Sequence, residues 1–280
     1  MTSDKRQPAT SHQPPAAKLL FSRQWWFPTL LVIAAVGVMA RLGVWQLDRL
    51  AARRAFNARV LEQQAQPLLN LSSAALEADL SAMEYRAATV VGQYDFSQQV
   101  ALRNQAWDDG RVALRPGIHL LTPLVVDGNN RAVLVDRGWI PLEDSAPENW
   151  GKYDEPGLVE VRGILRRSQS KPDFGGVPDP AGHLLMWNLA NVERIAGQVT
   201  LSLLPTIYIQ QSPDPAWTGL PYRSQPKLDL SEGSHLGYAI QWFSFALLLG
   251  IGYPFYVRNM QRAQARRASR RPVALSEESR

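Results

Sequence analysis

The sequence contains no cysteine. That excludes a disulfide framework, a thiolate nucleophile, a Cys-ligated zinc and an iron–sulfur cluster, and it suits an oxidising compartment. Histidine is scarce: the four residues His12, His119, His183 and His235 are far apart, and none forms a close-spaced metal pair. There is no G-x-S-x-G, Walker A, H-E-x-x-H or dinucleotide fingerprint. The carboxylate pairs Asp108-Asp109 and Glu143-Asp144 fall in turn-like segments, where solvated surface is the ordinary reading. No internal repeat is present. Nothing announces an enzyme, though these absences do not exclude one.

The basic excess, a formal net charge of +5, is concentrated in one place. Arg258, Arg262, Arg266, Arg267, Arg270 and Arg271 crowd the stretch after an apolar run. Such a cluster reads as a topology signal and lipid-headgroup anchor rather than a nucleic-acid patch.

What the sequence does have is two long uncharged runs, which the near-neutral mean hydropathy of −0.21 conceals. From Trp25 it reads WWFPTLLVIAAVGVMA before Arg41, with Pro28 where a helix start can spare an N–H. The run becomes long enough to cross about 30 Å of hydrocarbon if the helix continues through Leu47 while Arg41 snorkels to the headgroups. A cleaved signal peptide ending near Val38-Met39-Ala40 is the competing reading. The Trp-Trp-Phe entry and a helical pattern that runs on to about Arg59 favour a retained anchor. The second run, Leu236–Val257, holds no charge and has Tyr, Trp and Phe near its ends, as interfacial belts do. Basic residues flank the first run on both sides, whereas six arginines follow the second. Both termini are therefore expected in the cytoplasm, with the middle facing the periplasm or an equivalent space.

Between the runs, Asp48 to about Leu80 reads as helical and polar, broken at Pro67. The rest alternates at period two, predicting strands at 85–94, 99–107, 117–126, 132–141, 159–166, 184–188 and 206–210. Asp127-Gly128-Asn129-Asn130 is a hairpin turn, a short helix covers 191–197, and 171–182, with three Pro and three Gly, is a loop. The expected fold class is a membrane protein: two transmembrane α-helices, N- and C-terminal, flank an antiparallel β-rich α+β extracytoplasmic domain, either a sandwich or a partly closed barrel. The expected boundaries are a disordered tail to residue 24, spans at 25–47 and 236–257, the β-rich domain at 48–235, and a basic tail from 258.

One ionisable residue stands out. His235 sits at the mouth of the second run, and a continuing helix puts Tyr238, Ala239 and Trp242 on its face at offsets of three, four and seven. An imidazole at a membrane boundary is a candidate functional group and a standard axial ligand for haem iron; a helix-cap residue touching headgroups is the plain alternative. Arg41 and Trp45 are four apart, so the guanidinium can stack on the indole or meet an anionic group such as a haem propionate; a snorkelling helix-end arginine is the plain alternative. In VLVDRGWIP, Arg137 and Trp139 read either as an exposed contact surface or as a buried strand end whose Trp139 fills the core.

Four segments together carry a resemblance: LGVWQLDRL at 42–50, RPGIHLLTPL at 115–124, VLVDRGWIP at 133–141 and SHLGYAIQWF at 234–243. In this order, with two bracketing helices, the chain resembles the Surfeit locus protein one family of assembly factors for haem-copper cytochrome c oxidase. The resemblance implies a membrane factor for oxidase subunit I, with haem a as transient cargo and haem a synthase as a second candidate partner. It implies His235 as the haem ligand and assigns nothing to His119 or His183; Tyr238, Trp242, Arg41 and Trp45 are candidate haem neighbours from their spacing alone. Two other classes compete. One is a membrane-tethered scaffold that grips an oxidase intermediate through Arg137 and Trp139 without binding haem. The other is a two-span sensor, for which no output module is visible.

Overall fold

The computed structural model describes residues 19–71, 75–108, 114–172 and 176–269. The expected tail falls on described residues only from Leu19, and Asp109, Arg270 and Arg271 lie outside them. Two compact units result, one of residues up to Ala55 and from Ser231, the other Phe56–Leu230.

The first unit is an antiparallel helix pair. Helix α1 spans Trp26–Ala65, a single run of 40 residues. Its first turn is secured by the Trp26 N–H on the Ser22 carbonyl and by the Thr29 hydroxyl on the Leu20 carbonyl, at 3.0 and 2.8 Å. It passes without a break through the residues that resemble a cleavage site. The other helix, α3, spans His235–Ser269 and continues through Pro254. Both are long and apolar enough to cross a membrane. They pack along one seam: the Thr29 hydroxyl meets the Tyr253 hydroxyl at 2.9 Å, and Trp25 packs edge-on to Tyr256. Phe243 lies so close over Gly43 that a Cβ there would sit 2.7 Å from its ring. Away from the seam, apolar side chains such as Leu31 and Leu248 are 63% and 70% exposed. A helix that belonged to a water-soluble core would bury such residues.

The second unit is built on eight strands: β1 (Leu69–Asn70), β2 (Ala87–Tyr94), β3 (Val100–Trp107), β4 (Arg115–Val126), β5 (Arg131–Pro141), β6 (Leu158–Arg167), β7 (Met186–Trp187) and β8 (Ser202–Gln211). Helix α2 is Val192–Ala196, capped at its start by the Asn191 side chain. The strand order is β1-β2-β6-β8-β5-β4-β3-β7, and an added β2–β4 pairing closes β2, β6, β8, β5 and β4 into a barrel. The expected β-rich domain is thus a barrel rather than a sandwich. Its pairings are mostly antiparallel, but β5 and β8 run parallel because β8 is reached by a crossover rather than a hairpin.

Alternation explains the layering. Along β8, Ile207 and Ile209 point into the barrel with Val90, Leu124, Val135, Val161 and Leu165. Tyr208 points outward with Leu121 and Leu134, under a second core completed by Trp187, Val192 and Ile195. The remaining expected helix, from Pro67 to Leu80, is instead β1 followed by short 3-10 turns at Ala75–Glu77 and Leu80–Met83. These turns lay Leu71, Leu76 and Leu80 against the barrel core, burial that one amphipathic stripe at this spacing would not give.

Candidate functional site

His235 is the first residue of α3 and is half-buried. Its Nδ1 lies 2.9 Å from the side-chain oxygen of Gln46 on α1. In the neutral ring, an amide-oxygen partner favours the tautomer with the proton on Nδ1 and the lone pair on Nε2. Just before it, the Arg54 guanidinium grips the Glu232 carboxylate through two bonds of 2.8 Å, and Arg53 donates to the Ser231 carbonyl at 3.0 Å. The chain's entry into α3 is thereby tied to α1 at three consecutive levels. The hydrogen bond from Arg54 comes first among the effects that hold the Glu232 carboxyl below its usual range, though both groups are exposed and the pair adds little stability.

The other expected residues are only partly gathered here. Trp242 is half-buried and Ala239 is buried, while Tyr238 is 50% exposed. Trp45 does carry a guanidinium over its ring, at 5.6 Å, but it belongs to Arg49. The expected Arg41 stack is corrected on this point. Helical side chains lean toward the N-terminus, so the residue four positions later folds back over the indole while Arg41 leans away from it. Arg41 is exposed and joins neither Trp45 nor His235.

Arg137 and Trp139 require a larger correction: both are completely buried, so they form no contact surface. Arg137 is the extra residue of a β-bulge, since Leu120 pairs with Gly138 and Leu121 with Asp136. The bulge turns its guanidinium inward, where it donates to Gln99 at 3.1 Å, to Glu155 at 3.0 Å and to the Tyr153 carbonyl. Glu155 also accepts from Arg223 at 3.0 Å, so a single carboxylate is shared by two arginines. Gly138, at φ +118°, is where residue 222 passes: a Cβ there would lie 2.4 Å from the Tyr222 carbonyl oxygen. Trp139 pairs with Tyr222 through two backbone bonds of 2.9 and 2.8 Å, and their rings stack at 5.9 Å. The motif is a structural node that clasps the segment leading to α3.

Its neighbour Asp136 turns the other way. Both carboxylate oxygens lie 3.0 Å from Nδ1 of His119 on β4, and one also accepts the Gly138 N–H. Burial disfavours the charged ring, but the charge and hydrogen bond of Asp136 outweigh it and hold the His119 pKa above its ordinary 6.5. Neither this pair nor Gln46 was singled out from the sequence. The signal for Gln46 was latent: antiparallel spans put the outer end of one beside the entry of the other. Among the described residues no three His, Asp or Glu side chains are grouped to hold a metal ion.

With this geometry in view, the comparisons with known proteins decide the family. The family model described as "SURF1 family" matches residues 33–247. The chain belongs to the SURF1 family. Its relatives include mouse "Surfeit locus protein 1", 25% identical over 227 residues that cover 78% of this chain and 70% of the mouse protein. The "Surfeit locus protein 1" of Takifugu rubripes is 25% identical over 78% of this chain and 90% of its own length. A Drosophila melanogaster "SURF1-like protein" is 26% identical over 79% and 73%. The SURF1-family match takes in all of the barrel, Gln46 and His235.

Proposed function

We propose that this chain is a membrane-anchored assembly factor for haem-copper cytochrome c oxidase, and that it holds haem a through His235 for delivery to subunit I. The observation that carries the reading is the placement of His235: Nδ1 is held by Gln46, so Nε2 is the ring nitrogen left to meet an iron, at the start of a long apolar helix. One imidazole cannot hold a bare metal ion, but it suits an iron already chelated by a porphyrin. When bound, the haem would supply the iron centre that the oxidase later uses; the protein's share is to bind, orient and release it. Trp242 and Tyr238, with Trp45 and Arg41 on α1, are the side chains available to border the macrocycle and its propionates.

In this reading α1 and α3 cross the bacterial inner membrane, both termini are cytoplasmic and the β-rich domain is periplasmic. His235 then stands at the outer water–lipid boundary. Haem a carries a long isoprenoid tail, and withdrawing it from water stabilises the complex by about 0.8 kcal/mol per methylene, so the tail favours a carrier at the bilayer. Oxidase subunit I and haem a synthase are the partners this role requires. The scaffold alternative loses the two residues on which it relied, since Arg137 and Trp139 are buried.

The test is spectral. The full chain purified from cells that make haem a should carry a Soret band that His235→Ala diminishes, with the melting temperature of the variant unchanged. A full, unshifted band in that variant would remove His235 from the ligand position.

A further inference from the structure

A second imidazole with an unused nitrogen lies on the outer face of the barrel, over a cleft of about 540 Å³. Its lining draws on β4 through His119, β5 through Asp136, β8 through Tyr208 and Gln210, and β6 through Arg166, with Leu102 and Trp107 of β3 also present. The β-bulge at Arg137 makes this arrangement, because it brings Asp136 diagonally against His119 on one face.

The polar groups of the cleft divide into those already engaged and those left over. Asp136 is engaged twice, by the ring of His119 and by the Gly138 N–H. Gln210 accepts from Arg166 at 3.0 Å and donates to the Ser224 carbonyl at 2.9 Å. Arg166 also lies 3.7 Å from Glu84 and over the ring of Tyr85. Lys227, at the rim, is paired with Asp108 at 3.1 Å. Left over are Nε2 of His119, the hydroxyl of Tyr208, although that residue is only 5% exposed, and the buried Nε of Arg166, none of which has a hydrogen-bond partner among the described residues. His119 is half-buried and its Nε2 is open to the cleft, so a ligand there can reach it. Burial pushes the Tyr208 hydroxyl up to about 12, so it remains a donor.

We propose that this cleft is a binding site for a small organic carboxylate, which takes one hydrogen bond from the His119 Nε2–H and one from the Tyr208 hydroxyl. Two free donors beside a guanidinium, with the one floor carboxylate already consumed by its imidazole, select an anion over a cation. The volume lies in the range of small-molecule sites, and the Trp107 and Leu102 side chains give an organic body something to rest on that a bare inorganic anion would not use. The site lies wholly within the barrel unit and is independent of the haem reading. Affinity should fall as pH rises and His119 loses its proton; the other titrating or charged groups facing it are Asp136, Tyr208, Arg166 with its Glu84, and the Lys227–Asp108 pair.

The full chain in detergent micelles, with 13C-labelled histidine rings, would be titrated with benzoate, acetate and inorganic phosphate. The His119 ring signal is assigned by its loss in His119→Gln. Benzoate should shift that signal saturably in the millimolar range, more tightly than acetate, and leave the His183 and His235 signals in place. Tyr208→Phe, which removes one oxygen and keeps the ring, should weaken benzoate about tenfold, as loss of one hydrogen bond to a charged group does. Asp136→Asn should weaken it as well and move its pH dependence to lower pH, since the ring loses the charge that holds its proton. The proposal is overturned if no probe gives a saturable shift at His119, if phosphate binds as tightly as benzoate, or if Tyr208→Phe leaves the affinity unchanged in a protein that melts like the parent.

Discussion

Two imidazoles in this molecule are tied by the same nitrogen to different partners. In the barrel, Nδ1 of His119 faces the carboxylate of Asp136; in the helix pair, Nδ1 of His235 faces the amide oxygen of Gln46. A carboxylate adds a full negative charge that stabilises the protonated ring, whereas an amide orients the ring and adds no charge. The first arrangement makes a proton-bearing donor and the second presents a lone pair. The two regions also differ in support. The strand carrying Asp136 lies inside a closed barrel whose core side chains are almost wholly buried, while His235 depends on a few polar contacts across one helix seam.

That contrast can be broken from the barrel side most severely at Gly138. Gly138→Val would force a branched side chain into a left-handed conformation and against the Tyr222 carbonyl. It should cost more than about 4 kcal/mol and leave little folded full-length protein, as read by thermal melting in detergent. Arg137→Met removes one guanidinium of the buried pair around Glu155, with a loss of about 3 kcal/mol in the same measurement. Glu155 keeps Arg223, which is why the loss falls at the low end for a broken buried pair.

The helix side is sharpened by Gln46→Leu, which preserves the bulk of the side chain but unties Nδ1. Haem retention should weaken about tenfold, as for other losses of a group that orients a metal ligand, while the melting temperature hardly moves. Equal haem content in parent and variant would show that Gln46 does not orient the ring. The smallest effect is a matter of pH. Because the folded His119 holds its proton above 6.5, its pairing with Asp136 stabilises the fold fully below that value, and this contribution disappears as pH rises through the folded pKa. The stability gap between the parent and His119→Gln should therefore narrow toward alkaline pH. A gap that widened would mean that the ring is neutral in the folded state.

The sequence revealed what depends on neighbours along the chain. Alternation located β3, β4, β5 and β6 to within about two residues at each end, Asn191 and Gly197 marked the ends of α2, and Asp127-Gly128-Asn129-Asn130 joins β4 to β5 as its turn chemistry indicates. What depends on distant partners was not visible. The closing β2–β4 pair and the parallel β5–β8 pair leave no local pattern. Arg137 was open to a surface reading because a lone charge on a strand usually faces solvent. Its burial follows from Glu155 and Arg223, which lie far along the chain and share nothing with it in sequence. Of the candidate site, His235 was legible from its place at the start of an uncharged run, whereas its partner Gln46 is separated from it by 189 positions.

The backbone pairing of Trp139 with Tyr222 bears on how much of the chain the barrel needs. Two of its supports are supplied by residues 222 and 223, a short way before the second long helix begins. A chain cut by a premature stop between the end of β8 and Tyr222 would lose more than its second apolar segment. Glu155 would keep only one of its two cationic neighbours, and the Trp139 ring would be uncovered on one side. Nonsense lesions in that stretch should therefore behave as failures of folding, with the product removed by proteases, rather than as an intact barrel left on a single apolar helix.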